Sequence, residues 1–141
     1  MIRIVLDTDV MFAAFDSTTG ASHALLLDIL EGKAHLLLST SLMIEYEAVL
    51  TRAENLRKFG MDTTHVLKVL DELSAICVPV AFDYRWRPSA SDPNDDLVLE
   101  TAINGGADMI ATFNLADLMA GAAPFGIAVQ RPSEVLRRLR T

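Results

Sequence analysis

The stretch MIRIVLDTDVMFAAF, residues 1–15, sets the architecture expected for the chain. Its apolar and β-branched run, residues 2–6, is typical of a central strand buried on both faces. The run ends in Asp7-Thr8-Asp9, and open α/β folds bind their ligands at the carboxyl ends of such strands. Two carboxylates this close repel each other unless a proton or a cation such as Mg²⁺ or Mn²⁺ is shared between them. A strand-end turn followed by a helix N-cap explains the same residues without a ligand, so both interpretations stand here.

The rest of the chain repeats an alternation of strands and helices. Amphipathic helical segments separate further apolar runs at residues 35–38, 75–81, 108–112 and 127–130. Connections of this length favour parallel strands with right-handed crossovers, and 141 residues suit one domain with its own core. We therefore expect a single domain over residues 1–141, a three-layer α/β/α fold with a central parallel sheet of about five strands.

Two segments carry more specific expectations. Residues 55–62 are polar and contain Gly60, so they are predicted to be a turn between helices. Pro79 interrupts the third apolar run, which predicts that this strand lies at an edge of the sheet because proline cannot donate a ladder hydrogen bond.

Composition limits the class of function. The formal net charge of −7 argues against a protein that coats nucleic acid electrostatically. It does not argue against a nuclease, since carboxylates that hold metal ions themselves make a chain acidic. Cys77 is the single cysteine, which excludes an intrachain disulfide and a thiolate metal cluster. No apolar run reaches the ~18 residues of a membrane span and no signal-peptide pattern is present, so we expect a cytoplasmic protein without a membrane partner.

Acidic residues also occur where the pattern predicts buried faces. Glu45 falls within the apolar stripe of the helix that begins near residue 42. Burying an ionised carboxylate without a partner costs on the order of several kcal/mol. Glu45 must therefore be paired, protonated or bound to metal, unless it reaches solvent at the margin of the stripe. Asp92 precedes Pro93, a strong helix start, and Asp95 aligns with the residues of that helix expected to pack on the sheet.

These acids are expected to meet at one edge of the sheet. The carboxyl ends of parallel strands share an edge, and oxygen-only ligands suit Mg²⁺ or Mn²⁺. Such an ion can activate water and stabilise both the entering and the leaving oxygen of a phosphodiester. The residues predicted to converge are Asp7, Asp9, Glu45, Asp92, Asp95 and Asn114.

The segments VLDTDV, SLMIEYEAVL and DPNDDLVLETAINGGADMIATFNLADL, in this order, resemble PIN domains. The similarity is to the branch that contains toxin components of bacterial toxin–antitoxin pairs. By this resemblance the catalytic and metal-binding acids are Asp7, Glu45 and Asp95, with Asp92 in the same cluster and Asn114 in place of a fourth family carboxylate. The same resemblance implies supporting roles for Thr8, Asp9 and Thr112, and for Asp117, which could compensate for the missing carboxylate.

The resemblance implies a Mg²⁺- or Mn²⁺-dependent endoribonuclease that acts on RNA, is restrained by an antitoxin protein and forms a homodimer. Arg85, Trp86 and Arg87 could stack on a base and clamp phosphate, or the tryptophan could simply cover the core. Basic residues also cluster near the C-terminus, where they could contact phosphates, bind an acidic partner or offset a helix dipole. They are Arg131, Arg137, Arg138 and Arg140.

Two other functions fit part of the pattern. A phosphatase of the haloacid dehalogenase type also begins with Asp-x-Asp after its first strand, but it needs a later lysine, and none of the three lysines follows a strand. A catalytically impaired PIN-like module that binds RNA or acts as a scaffold fits Asn114 and the acidic charge.

Overall fold

A computed structural model describes residues 1–82 and 93–141, with side chains from residue 96 onward in the second range. The strands are β1 Arg3–Leu6, β2 His35–Leu38, β3 Val78–Pro79, β4 Met109–Ala111 and β5 Ala128–Gln130. The helices are α1 Thr8–Asp16, α2 Ala21–Leu30, α3 Thr40–Leu50, α4 Ala53–Phe59, α5 Thr63–Ile76, α6 Pro93–Gly105, α7 Leu115–Ala122 and α8 Pro132–Leu139, with a short 3-10 helix at Ala123–Phe125.

The five strands form one parallel sheet in the order β3-β2-β1-β4-β5. Helices cover both faces, so the predicted three-layer α/β/α architecture is confirmed. β1 lies in the middle, and Ile4, Val5 and Leu6 are almost fully buried, as the β-branched run predicts. β3 is an outer strand, as Pro79 indicates.

The registers align the ends of three neighbouring strands. Leu6 of β1 is level with Ala111 of β4, which is level with Gln130 of β5. The next residues along the chain, Asp7 and Thr112, therefore leave the sheet side by side at its carboxyl edge. This register brings residues that are far apart in sequence to one place.

The predicted turn at residues 55–62 is wrong, because α4 occupies most of that segment. The helix is polar overall, but the Phe59 ring packs against those of Phe12 and Phe15, with centroids 5.1 and 5.8 Å apart. Gly60 ends it in the left-handed conformation, φ +67°. Because one aromatic side chain makes the aromatic contacts of this short helix, the segment lacks the apolar periodicity by which a helix is predicted from sequence.

The third apolar run also differs from its prediction. α5 continues to Ile76, and only Val78 and Pro79 pair with β2. None of the helices in the described ranges has the length and apolar character that a bilayer crossing requires.

A buried ion pair fastens α8 to α2. Asp28 has a side chain only 3% exposed, and it accepts hydrogen bonds from Arg140 Nε and Nη2, each at 3.1 Å. Lys33 Nζ lies 3.5 Å from the same carboxylate. The hydrogen bond from Arg140 lowers the pKa of Asp28 below its ordinary value of 3.8.

Asp28→Asn is expected to lower the melting temperature at pH 7 by a few degrees, because it removes the buried charge that Arg140 binds. The folded-state pKa lies below the unfolded one, so this stabilisation is present above about pH 4 and is lost as the pH falls through the folded value. Thermal melts from pH 2.5 to 7 should show the wild-type and variant curves converging on acidification. Asp16→Asn is the control, since its pair with Lys58 is more exposed, and an equal loss there would contradict the expectation.

Candidate active site

Asp7 lies at the junction of β1 and α1, where it has both a structural and a chemical role. It is the N-cap of α1, its Oδ1 accepting a hydrogen bond from the backbone N–H of Thr8 at 2.7 Å. Its Oδ2 accepts one from the Thr112 hydroxyl at 2.7 Å, and its own N–H donates to the carbonyl of Ala111 at 2.9 Å. The residue is 7% exposed, and these hydrogen bonds hold its carboxylate at the carboxyl edge.

Glu45 reaches the same place from α3. The Thr8 hydroxyl donates a hydrogen bond to Glu45 Oε2, which links the first turn of α1 to α3. The neighbouring Tyr46 is fully buried and its hydroxyl donates to the carbonyl of Leu6, the last residue of β1. A buried tyrosine hydroxyl needs such a partner, so this contact holds α3 against the end of β1. Thr8 therefore stands between the two acids.

Asp9 lies beside Asp7, and its two carboxylate oxygens differ in their hydrogen bonding. Its Oδ2 accepts a hydrogen bond from the N–H of Phe113 at 3.1 Å, while Oδ1 is buried without a hydrogen-bond partner. Burial, and then the negative charge of Asp7, raise the pKa of Asp9 to about 7. The sequence left its role open between cap and extra ligand, and the structure gives the capping role to Asp7.

The pKa of the Tyr46 hydroxyl is affected by the negative charges of the site. Burial raises the pKa of its hydroxyl well above the ordinary value, and the negative charges of Asp7, Glu45 and Asp9 raise it further. All three negative charges therefore contribute to the electrostatic field at this hydroxyl. Tyr46 was not among the predicted site residues, and its place directly after a glutamate within the apolar stripe is the sequence signal that points to it.

Asn114 and Asp117 lie at the rim of the site, at the start of α7. Both are exposed, and Asn114 Nδ2 donates to Asp117 Oδ2 at 2.8 Å. The backbone N–H of Asn114 donates to the Thr112 hydroxyl oxygen at 2.9 Å. Thr112, which is fully buried, thus accepts from Asn114 and donates to Asp7, joining this loop to the acids.

Other predicted site residues lie wholly or partly outside the described part of the chain. Asp95 is in the first turn of α6 by its backbone, and its side chain is not described. The end of α6 lies at the amino edge of the sheet, where Arg3 Nη2 donates to the carbonyl of Gly105 at 2.6 Å, and the helix starts from the opposite edge. Asp92, Arg85, Trp86 and Arg87 are outside the described residues.

The donor chemistry fits a hard divalent cation. The candidate ligands are carboxylate oxygens, which Mg²⁺ and Mn²⁺ prefer, and the unpartnered Asp9 Oδ1 is the kind of buried atom that a cation would satisfy. Over residues 1–82 and 96–141, no three His, Cys, Asp or Glu side chains lie close enough together to form a ligand set by themselves. Asp92 and Asp95 remain the residues predicted to complete it.

The parallel sheet and the carboxylates at its carboxyl edge place the protein among α/β proteins with an acidic site at that edge. The family model of the PIN domain matches residues 3–116. The chain therefore belongs to the PIN domain family, and PIN domains are generally nucleases. This family assignment excludes the haloacid dehalogenase alternative. A search of curated proteins finds no match.

Thr112→Val is expected to lower the free energy of unfolding by about 1–3 kcal/mol, because it removes one hydrogen bond to buried Asp7 and one acceptor from Asn114. Urea titration measures the change. Thr112→Ser keeps the hydroxyl and should retain most of the stability. A loss in Thr112→Ser as large as that in Thr112→Val would contradict the expectation, because the serine keeps the hydroxyl.

Proposed function

We propose that this protein is a Mg²⁺- or Mn²⁺-dependent endoribonuclease that hydrolyses RNA phosphodiester bonds. The observation that carries the proposal is the Thr8 bridge, which holds Asp7 and Glu45 at the carboxyl edge of a PIN-domain sheet. PIN nucleases typically use divalent metals, and the family implies an RNA substrate. Asp7, Glu45 and Asp95 are the proposed ligands, with Asp92 and the Asn114 carbonyl beside them.

A bound divalent cation would neutralise charge on the phosphodiester and lower the pKa of an attacking water. The chain's own residues prepare the site for it. Thr112 fixes the orientation of Asp7, and Thr8 fixes that of Glu45, so neither carboxylate has to reorganise when substrate binds. Asp9 Oδ1 can hold a proton beside Asp7, which limits the repulsion between the acids.

Asp7→Asn and Asp95→Asn should each reduce Mg²⁺- or Mn²⁺-dependent cleavage of a fluorescent RNA oligonucleotide at least about 100-fold, because each removes a proposed ligand charge. Circular dichroism must show that both variants remain folded. Asp71→Asn, an exposed acid on α5, is the matched control and should cut like wild type. Undiminished cleavage by both site variants would refute the assignment of the site.

The branch, assembly and location belong to the same proposal. The resemblance supports a role as the toxin component of a type II toxin–antitoxin pair, acting in the cytoplasm as a homodimer of single-domain chains. Induced expression in a bacterium is then expected to arrest growth, whereas Asp7→Asn should not. Co-expression of a short DNA-binding protein encoded beside this chain should restore growth and co-purify with it. Growth arrest that persists in the Asp7→Asn variant would argue against a ribonuclease toxin.

A catalytically impaired RNA-binding or scaffold module remains the second candidate. It is favoured by Asn114, whose amide is engaged by Asp117 and which brings no charge to the position of the fourth family carboxylate. Such a module would bind RNA and show no metal-dependent cleavage in the assay above.

A further inference from the structure

The structure separates the four arginines of the C-terminal segment into two groups. Arg140 is held by buried Asp28. Arg131, Arg137 and Arg138 are exposed, and no carboxylate of the described residues lies within 4.0 Å of their guanidinium groups. These three charges are therefore available to a ligand.

Arg131 belongs to the edge that carries the acids. Asp7, Thr112 and Arg131 are the residues that directly follow β1, β4 and β5, three adjacent strands. Their backbones are joined at this level, Asp7 N–H to the Ala111 carbonyl at 2.9 Å and Thr112 N–H to the Gln130 carbonyl at 3.0 Å. Two strand spacings of about 4.8 Å put the backbone of Arg131 roughly 10 Å from that of Asp7.

Arg138 continues the line of charge along α8. It lies seven residues after Arg131, the N-cap of α8, so the two lie on one side of the helix axis. Arg140, the C-cap, is held on the opposite side by Asp28 of α2. Seven residues rise about 10.5 Å, which is longer than the spacing of adjacent phosphates along one strand, so the two guanidinium groups can bind separate phosphates. Arg137 points more than a quarter turn away from this side of the helix.

We propose that Arg131 and Arg138 bind two separate backbone phosphates of a single-stranded RNA, on one side of the scissile bond. The strand then runs from the acidic edge past β5 and along α8. This inference rests on the proposed ribonuclease function and adds a path for the substrate. A chain of net charge −7 repels a polyanion overall, so its substrate needs a local line of cations that leads to the acids.

The test measures binding and catalysis separately. Binding of a fluorescein-labelled twelve-nucleotide single-stranded RNA is followed by anisotropy without divalent cation. The proteins compared are wild type, R131Q, R138Q, the R131Q/R138Q double variant, and the controls R137Q and R131K. The double variant should bind about tenfold more weakly. The slope of log K against log salt should become less steep by about 1.4, or about 0.7 for each lost contact. R137Q removes the same charge from the same helix and should bind like wild type, as should R131K.

With Mg²⁺ or Mn²⁺, kcat/KM for the RNA should fall about as much as binding, and by more than kcat/KM for bis(p-nitrophenyl) phosphate, which is too small to reach Arg138. Unaltered RNA binding in the double variant, or an equal loss in R137Q, would overturn the path. Failure of the wild type to bind RNA would also overturn the path. Variants that lose only the binding of a glutamate-rich peptide would overturn it too, because they would assign this side of α8 to a protein partner. A wild type that binds through these arginines but cleaves neither substrate would leave the path standing and refute the nuclease.

Discussion

The hydrogen bond from the Thr112 hydroxyl to Asp7 is the interaction on which the candidate site depends. It joins the end of the central strand β1 to the end of its neighbour β4, and the same carboxylate caps α1 through its other oxygen. The same threonine accepts the N–H of Asn114, which fixes the loop before α7. One buried pair therefore sets the start of a helix, the course of a loop and the position of the central acid.

The cost of this arrangement is electrostatic. Asp7 and Asp9 lie close together in partly buried positions, and Glu45 is near enough to act on the same tyrosine hydroxyl. Hydrogen bonds from Thr8, Thr112 and backbone N–H groups offset part of the repulsion, but they leave Asp9 Oδ1 without a partner. Repulsion among these carboxylates opposes folding when no cation is bound. Functional sites are where such locally unfavourable interactions are expected.

The sequence predicted what depends on local pattern. A β-branched run ending in acids indicated a central strand with a site at its end, and a glutamate inside an apolar stripe marked Glu45. The roles of Asp7 and Asp9 could not be distinguished, because Asp9 takes its partner from Phe113, 104 residues away. α4 was missed because its stability comes from aromatic contacts with α1. Contacts between residues far apart in sequence produce no periodic pattern by which they could be predicted from a single sequence.

The distribution of charge is compatible with the proposed action of this acidic protein on a polyanion. The negative groups of the site are concentrated within the ends of β1, α1 and α3, where a divalent cation can neutralise them over a short distance. Fixed positive charge is kept apart, on the flank of α8 that faces away from the Asp28 pair. If Arg131 lay among the acids, it would form an ion pair with them and compete with the cation. Arg131 lies two strands away from Asp7 and forms no ion pair with an acid of the described residues. Under the proposed function, the metal-binding acids and Arg131 can therefore both interact with the same RNA strand.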